Sequence, residues 1–147
     1  MTILVDTSVW SLALRRDGEH DAPEVHALKD ALLGEDLVVT TGLVFQELLQ
    51  GVTGARSHAQ ILARFAALQL IQPDRADHVA AVAIRNGCRR AGVQIGTVGA
   101  VLAQLCIRHH LTLLTTDKDF TNAARHCPLA VWPAKRATNA KRDDARS

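Results

Sequence analysis

Residues 2–8 of this chain, T-I-L-V-D-T-S, contain the clearest indication of its fold class. Three consecutive apolar residues, Ile3-Leu4-Val5, end abruptly at Asp6. A short apolar run of this kind is typical of a strand that is buried on both of its faces. Because parallel sheets are covered by helices on both sides, the run favours a parallel sheet, with an acidic residue directly after the strand.

Further short apolar runs recur along the chain, and segments with helical spacing lie between them. The predicted additional strands are Leu37–Val39, Leu68–Ile71, Leu111–Thr115 and Ala130–Trp132. The predicted helices are Val9–Leu14, Pro23–Leu33, a helix from Thr40 or Thr41 through Leu49, Ile61–Leu68, Val79–Cys88 and Thr97–Cys106. This alternation predicts an α/β fold with a central parallel sheet and helices on both faces.

Several polar residues before these helices are candidate caps. Thr7 or Ser8 is expected to cap the first helix, and Ser57 is a possible cap of the fourth. Asp74 and Asp77, three residues apart, resemble the reciprocal capping pair that often begins a helix.

Composition and charge indicate one ordinary globular domain with a different C-terminal segment. The chain has 147 residues, of which 48% are hydrophobic and 22% charged, and its net charge is +2. The net charge is +3 over residues 134–147, which also lack apolar periodicity, and −1 over residues 1–133. We therefore predict a domain over residues 1–133 and a flexible basic tail over 134–147. A near-neutral domain also excludes a strongly basic, nucleic-acid-coating protein.

Cysteine usage and hydropathy indicate a soluble protein of the reducing cytoplasm. Cys88, Cys106 and Cys127 are odd in number and have no metal-finger spacing, so we expect buried thiols rather than disulfides or zinc ligands. The chain enters its first strand without a basic leader segment. The longest uncharged run, Ala91–Ile107, is too short and too interrupted by polar residues and glycines to span a bilayer.

Acidic residues follow two of the predicted strands, where open α/β sheets place their ligand sites. Asp6 ends the first strand, Asp117 and Asp119 follow the fourth, and Glu47 interrupts an apolar helix after the second. A carboxylate among apolar neighbours is costly unless it is paired or bound to a metal. Carboxylates that converge on one cleft repel each other, and a divalent cation cancels that repulsion. Oxygen ligands favour Mg²⁺ or Mn²⁺, which can support hydrolysis of a phosphate ester.

Simpler interpretations of the same charged residues remain open. Asp6 and Asp117 could merely cap the helices that follow them, and Glu47 could be a solvated surface residue. A group of three arginines on one helix could form a basic edge or an ordinary solvated face, and the basic tail could contact RNA or remain solvated. The arginines are Arg85, Arg89 and Arg90.

Three motifs resemble the PIN domain and, more narrowly, the VapC toxins of bacterial type II toxin–antitoxin systems. They are V-D-T-S-V-W at 5–10, Q-E-L-L-Q-G at 46–51 and L-L-T-T-D-K-D-F at 113–120. The resemblance implies a three-layer α/β/α sandwich with Mg²⁺- or Mn²⁺-dependent endoribonuclease activity, usually on tRNA or rRNA. It also implies a homodimer held inactive by a small VapB-like antitoxin.

Carried over to this sequence, the resemblance assigns roles to individual residues. Asp6, Glu47 and Asp117 match the catalytic acids that hold the metal. Asp119 is a less certain accessory acid, and Thr116 is a polar neighbour of the metal-bound water.

The sequence departs from the family pattern at Gly99. The family usually has an acid in a T-x-D-A-L-I-A-type helix start, and this chain has T-V-G-A-V-L-A at 97–103. A glycine in the first turns of an apolar helix costs about 1 kcal/mol relative to alanine. Asp and Gly codons can differ by one base, so an engineered inactivating change and a natural loss are both open, and we favour the first. Either change removes a metal ligand, so we expect impaired hydrolysis.

Two other functions are alternatives to the ribonuclease toxin. The first is a catalytically silent PIN-fold module that binds RNA or a partner. The second, a phosphotransfer enzyme with Asp6 as nucleophile, is disfavoured because Thr7-Ser8 follows Asp6 and no D-x-D motif is present. A near-neutral toxin would need a shaped cleft for selectivity, and we expect its antitoxin to place an Arg or Lys in the acidic cleft.

Overall fold

A computed structural model describes residues 1–15 and 21–133 and contains a single five-stranded sheet that is parallel throughout. The strands are β1 (Thr2–Val5), β2 (Leu37–Thr40), β3 (Gln69–Leu70), β4 (Thr112–Leu114) and β5 (Ala130–Val131). Their order across the sheet is β3-β2-β1-β4-β5. The prediction of a central parallel sheet is therefore confirmed.

Seven helices in the described residues complete a three-layer α/β/α fold. They are α1 (Thr7–Ala13), α2 (Pro23–Leu33), α3 (Gly42–Gln50), α4 (Ala55–Ala66), α5 (Arg75–Arg90), α6 (Thr97–His109) and α7 (Lys118–Ala123). Helix α1 packs against α2 and α3, α3 packs against α4, and α5 packs along α6. None of the helices in the described ranges is long and apolar enough to cross a membrane.

Strand β1 occupies the centre of the sheet, between β2 and β4. Its residues Ile3, Leu4 and Val5 are almost completely buried, as a strand covered on both faces requires. The chain builds outward from β1 in one direction through β2 and β3, and in the other through β4 and β5. The carboxyl ends of β1 and β4 therefore flank the point where the strand order reverses, which is where such sheets bind ligands.

Two predicted helix caps are wrong. Helix α1 begins at Thr7 with Asp6 as its N-cap, and the Ser8 hydroxyl donates to Asp6 instead of capping the helix. Helix α4 begins at Ala55 after Gly54, two residues before the predicted cap at Ser57. In both places a helical turn forms earlier than the capping pattern indicates, because burial of the apolar face outweighs a single capping bond.

The prediction about the cysteines falls within the described residues, and the prediction about the C-terminal tail does not. Cys88, Cys106 and Cys127 are free thiols, and the first two are buried. The predicted flexible tail over 134–147 lies outside the described residues.

An ion pair joins the start of α5 to the end of α6. Asp77 is fully buried and belongs to the capping box with Asp74, as the sequence predicts. Its carboxylate accepts hydrogen bonds from Arg108 Nη2 at 2.7 Å and from Gln104 Nε2 at 3.3 Å. Burial raises the pKa of Asp77, but the hydrogen bonds from Asp74, Gln104 and Arg108 outweigh it and hold the pKa below its usual range.

We expect Asp77→Asn to lower the free energy of unfolding by about 2 kcal/mol at neutral pH, because it leaves Arg108 without its buried partner. This loss in the free energy of unfolding is smaller than the loss expected for a fully buried ion pair, because the Arg108 side chain is 40% exposed. The stabilising contribution is complete above the pKa of an unfolded aspartate, about 3.9. It is lost as the pH falls through the lower pKa of the folded state, so the difference between the two proteins should shrink in acid.

Urea denaturation of the two proteins at neutral pH and below pH ~4 measures this difference. The exposed-acid variant Asp30→Asn is the control and should stay within about 0.5 kcal/mol of the unmodified chain at both pH values. A difference between Asp77→Asn and the unmodified chain that does not change with pH would contradict the assignment.

Candidate active site

An acidic cleft of about 210 Å³ opens at the carboxyl ends of β1 and β4. We call it the acidic cleft. Its lining includes all four acids singled out from the sequence and the glycine at the position where an acid is expected, namely Asp6, Glu47, Gly99, Asp117 and Asp119. Apolar walls come from Ile95, Val98, Leu102 and Phe120. Residues that lie far apart in the sequence, on β1, α3, α6 and the segment after β4, therefore meet at one place.

Asp6 is the most firmly held of these acids. Because Val5 pairs with Leu114, Asp6 lies beside the end of β4, and its backbone N–H donates to Leu114 O at 2.9 Å. The Asp6 side-chain atom Oδ2 accepts hydrogen bonds from Ser8 Oγ at 2.8 Å and from Thr115 Oγ1 at 2.9 Å. Asp6 is 8% exposed, so its carboxylate is fixed in orientation while part of it still reaches the cleft.

The two hydroxyls that hold Asp6 are themselves fixed by the backbone after β4. The Thr116 N–H donates to Ser8 Oγ at 3.1 Å, and the Asp117 N–H donates to Thr115 Oγ1 at 3.0 Å. Sequence reasoning assigned a polar role to Thr116 and missed Ser8 and Thr115. The signal was the T-T doublet before Asp117, where the residue facing inward is the first threonine, and Thr116 is exposed.

Glu47 reaches the acidic cleft from α3, but its surroundings differ from the prediction. Val44 and Leu48, about one helical turn apart, occupy the buried face of α3. Glu47 lies beside that face and is exposed, so its carboxylate stays hydrated and is not desolvated by apolar neighbours. Thr7 Oγ1 donates to Glu47 Oε1 at 3.1 Å. This contact links Glu47 to the segment that carries Asp6.

The interpretation of these acids as helix caps is correct for one of them. Asp117 is the N-cap of α7, and its Oδ1 accepts a hydrogen bond from the Asp119 N–H at 2.9 Å. Asp6 is in the N-cap position of α1 but makes no side-chain capping bond. Asp117 and Asp119 are both exposed on the cleft, and Asp117 keeps its second oxygen available for another partner.

Gly99 is in the first turn of α6 and faces the acidic cleft. A Cβ atom at this position would lie 3.0 Å from Ile95 Cγ1 and 3.4 Å from Phe120 Cζ. The first separation is shorter than an ordinary van der Waals contact, so a side chain at residue 99 requires Ile95 to shift by a few tenths of an ångström. The side chains of Ile95 and Phe120 therefore lie close to Gly99 and leave little room for a side chain there.

The carboxylate oxygens of the cleft have the chemistry that a hard divalent cation requires, but too few of them lie close together to form a complete site. The acidic cleft presents carboxylate oxygens, which Mg²⁺ and Mn²⁺ prefer, and no cysteine or histidine lines it. Within the part of the chain that the structure describes, no three acidic, histidine or cysteine side chains lie close enough together to hold a metal ion. The residues of α6 that line the cleft are Val98, Gly99 and Leu102, and none of them has a side-chain ligand for a cation.

Cys106 lies behind the cleft and does not take part in its chemistry as a thiolate. The residue is buried, and burial strongly raises the pKa of its thiol. The nearby charge of Asp6 raises that pKa further. Cys106 therefore stays protonated and acts as a small apolar core residue, which agrees with its predicted role.

The fold is shared with toxin–antitoxin structures. VapBC2 from Rickettsia felis, solved bound to a DNA fragment from its promoter, is 18% identical with a TM-score of 0.70, covering 89% of this chain and 97% of that chain. FitAcB from Neisseria gonorrhoeae is 26% identical with a TM-score of 0.66, covering 88% and 95%. VapC20 from Mycobacterium tuberculosis, a sarcin–ricin loop cleaving toxin, is 20% identical with a TM-score of 0.63, covering 82% and 94%. No curated protein sequence matches the chain.

The sequence itself matches one family, the PIN domain, over residues 3–126. The match spans all three motifs and every element from β1 to α7. Since it covers most of the polypeptide and agrees with the α/β/α layers and the acidic cleft, this chain belongs to the PIN domain family.

Proposed function

We propose that this protein is the toxin of a type II toxin–antitoxin system and has the active-site architecture of a Mg²⁺- or Mn²⁺-dependent endoribonuclease. One observation carries the proposal: Asp6, Glu47, Asp117 and Asp119 line a single cleft at the carboxyl ends of β1 and β4. Four carboxylates in one small cleft repel each other, and binding of a divalent cation removes that repulsion.

In this proposal the role of each acid follows from how firmly its side chain is held. Asp6 and Asp117 would ligate the cation, with Asp6 held in one orientation by two hydroxyls. Glu47, which is exposed and accepts one hydrogen bond, would ligate the cation or orient the attacking water. When bound, the cation supplies a nucleophilic water at neutral pH and neutralises charge on the phosphodiester. Asp119 is accessory.

The similar structures support the biological setting. Several of them are VapBC complexes, and VapC20 is a toxin that cleaves the sarcin–ricin loop. We extend this to a tRNA or rRNA substrate, a cytoplasmic location, a homodimer and a VapB-like antitoxin. The interactions that favour such an antitoxin are charge-assisted bonds between its Arg or Lys and the unpaired acids of the cleft.

Gly99 limits the activity of this chain. The lack of a carboxylate on α6 and the absence of a ready three-ligand cluster among the described residues both weaken cation binding. The same two observations favour the second candidate function, a catalytically silent PIN-fold module that binds RNA or a partner. The two candidates differ in whether restoring one carboxylate restores hydrolysis.

We expect Gly99→Asp to cleave RNA in the presence of Mn²⁺ at a rate at least about 100-fold above the unmodified chain, because it returns a ligand to the cation. Gly99→Ala is the matched control, since it makes the same Cβ contact with Ile95 without adding a carboxylate. Gel analysis of total tRNA and rRNA incubated with each variant measures cleavage, and circular dichroism verifies that each variant is folded.

Adding Asp6→Asn to Gly99→Asp should abolish the restored cleavage, whereas adding Glu35→Gln, an exposed acid outside the cleft, should leave it intact. A folded Gly99→Asp protein that cuts no RNA with either Mn²⁺ or Mg²⁺ would reject the enzyme and favour the silent binding module.

We also expect the protein to co-purify from its native cells with a small partner that places an Arg or Lys in the acidic cleft. Asp117→Asn removes a charge from this contact and should weaken the complex about tenfold, as measured by calorimetry. The exposed-acid variant Asp30→Asn should bind with unchanged affinity. Recovery of a homogeneous monomer from native cells, with no partner, would count against the antitoxin.

A further inference from the structure

A second, larger cleft of about 470 Å³ adjoins the acidic cleft, and we call it the arginine cleft. Arg85 and Arg89 of α5 form one side of it, and the segment 93–96 between α5 and α6 forms another. The two clefts share three lining residues, Ile95, Gly96 and Asp119. A ligand that lies in the arginine cleft can therefore continue directly into the acidic cleft.

The two arginines are available to bind an anion. They are four residues apart on α5, so they project from the same side of the helix, and both are exposed. Within residues 1–15 and 21–133, no carboxylate lies within 4.0 Å of either guanidinium group, Asp119 of the same cleft included. Arg108, by contrast, is paired with Asp74 and Asp77. The arginine cleft thus contains two positive charges with which no carboxylate of the described residues forms an ion pair.

Gly96 lies where the two clefts meet, and we call the open space above it the passage. A Cβ atom built at Gly96 meets no atom within 4 Å, so the space above it is empty. Its backbone, with φ of −77°, is one that any residue can adopt, so the fold does not require glycine here.

We propose that Arg85 and Arg89 bind backbone phosphates of single-stranded RNA and direct the strand across Gly96 into the acidic cleft. The inference rests on the proposed ribonuclease function and identifies where its substrate lies. RNA is favoured over an acidic peptide because the strand must pass from two cations to four carboxylates. Phosphates there can share a divalent cation with the acids, whereas peptide carboxylates would only add to the repulsion.

The contact is with the backbone rather than with the bases. Base recognition in single-stranded RNA commonly uses exposed aromatic rings, and none of the described aromatic residues lines the arginine cleft. Trp10 contacts Phe65 at a centroid distance of 4.9 Å, and Phe45 stacks on Phe65 at 5.3 Å. The arginine cleft therefore binds RNA by charge, and affinity should depend strongly on salt concentration.

The test is the affinity of a fluorescein-labelled single-stranded RNA, measured by anisotropy with Mn²⁺ present, and a gel of the same samples verifies that the labelled RNA stays intact. We expect Arg85→Ala/Arg89→Ala to weaken binding about tenfold and to reduce the slope of log affinity against log salt by about 1.4, or 0.7 per lost phosphate contact. Gly96→Leu, which fills the passage without changing charge, should also weaken binding.

Arg90→Ala is the matched control. Arg90 is an exposed arginine in the same last turn of α5 as Arg89, so its loss has the same effect on the helix end, but it does not line the arginine cleft. The Arg90→Ala variant should bind RNA as the unmodified chain does. Equal weakening by Arg90→Ala, or an unchanged salt slope in the double variant, would overturn the proposal.

The alternative occupant and the parent function are separated by two further measurements. Binding of an oligoglutamate peptide that depends on Arg85 and Arg89, with no arginine-dependent RNA binding, would assign the cleft to an acidic protein and reject the RNA proposal. Cleavage by Gly99→Asp is measured independently. Its failure, together with arginine-dependent RNA binding, would reject the nuclease and leave the arginine cleft standing.

Discussion

The parallel pairing of β1 with β4 is the constraint on which the site depends. Its register places Val5 opposite Leu114, so Asp6 emerges beside Thr115 and the backbone that follows it. One carboxylate oxygen then accepts two hydroxyl bonds, and each hydroxyl accepts a backbone N–H from the segment after β4. A slip of one residue would turn alternate side chains to the opposite face of the sheet and separate Asp6 from all of these partners.

The sequence predicted the sheet and the meeting of the acids, because both follow from patterns that are local. A short apolar run ending in an acid marks a strand and its end, and parallel strands bring their carboxyl ends together. The acids at 6 and 117 were therefore identifiable without coordinates. The capping pair at Asp74 and Asp77 was also visible, since its two bonds lie within one helical turn.

The contacts that the sequence could not predict join residues far apart in the chain. Ser8 was interpreted as a helix cap because its local partners are backbone N–H groups, and its true partner Thr115 is 107 residues away. Glu47 was placed among apolar neighbours because the rotation of α3 about its own axis is set by packing against other helices. The arginine cleft depends on how α5 packs beside the segment 93–96, and the residue spacing within α5 does not indicate that packing.

The α5–α6 pair is joined at both ends. Asp77 and Arg108 join the start of α5 to the end of α6, and the six residues 91–96 connect the opposite ends, which carry Arg89 and Gly99. Between these two connections the helices pack along each other, with Ala81, Val101 and Leu105 in one buried cluster. The separation of the basic wall from the acidic wall is therefore set by helix packing, so a substitution in this cluster would change that separation without altering a residue of either wall.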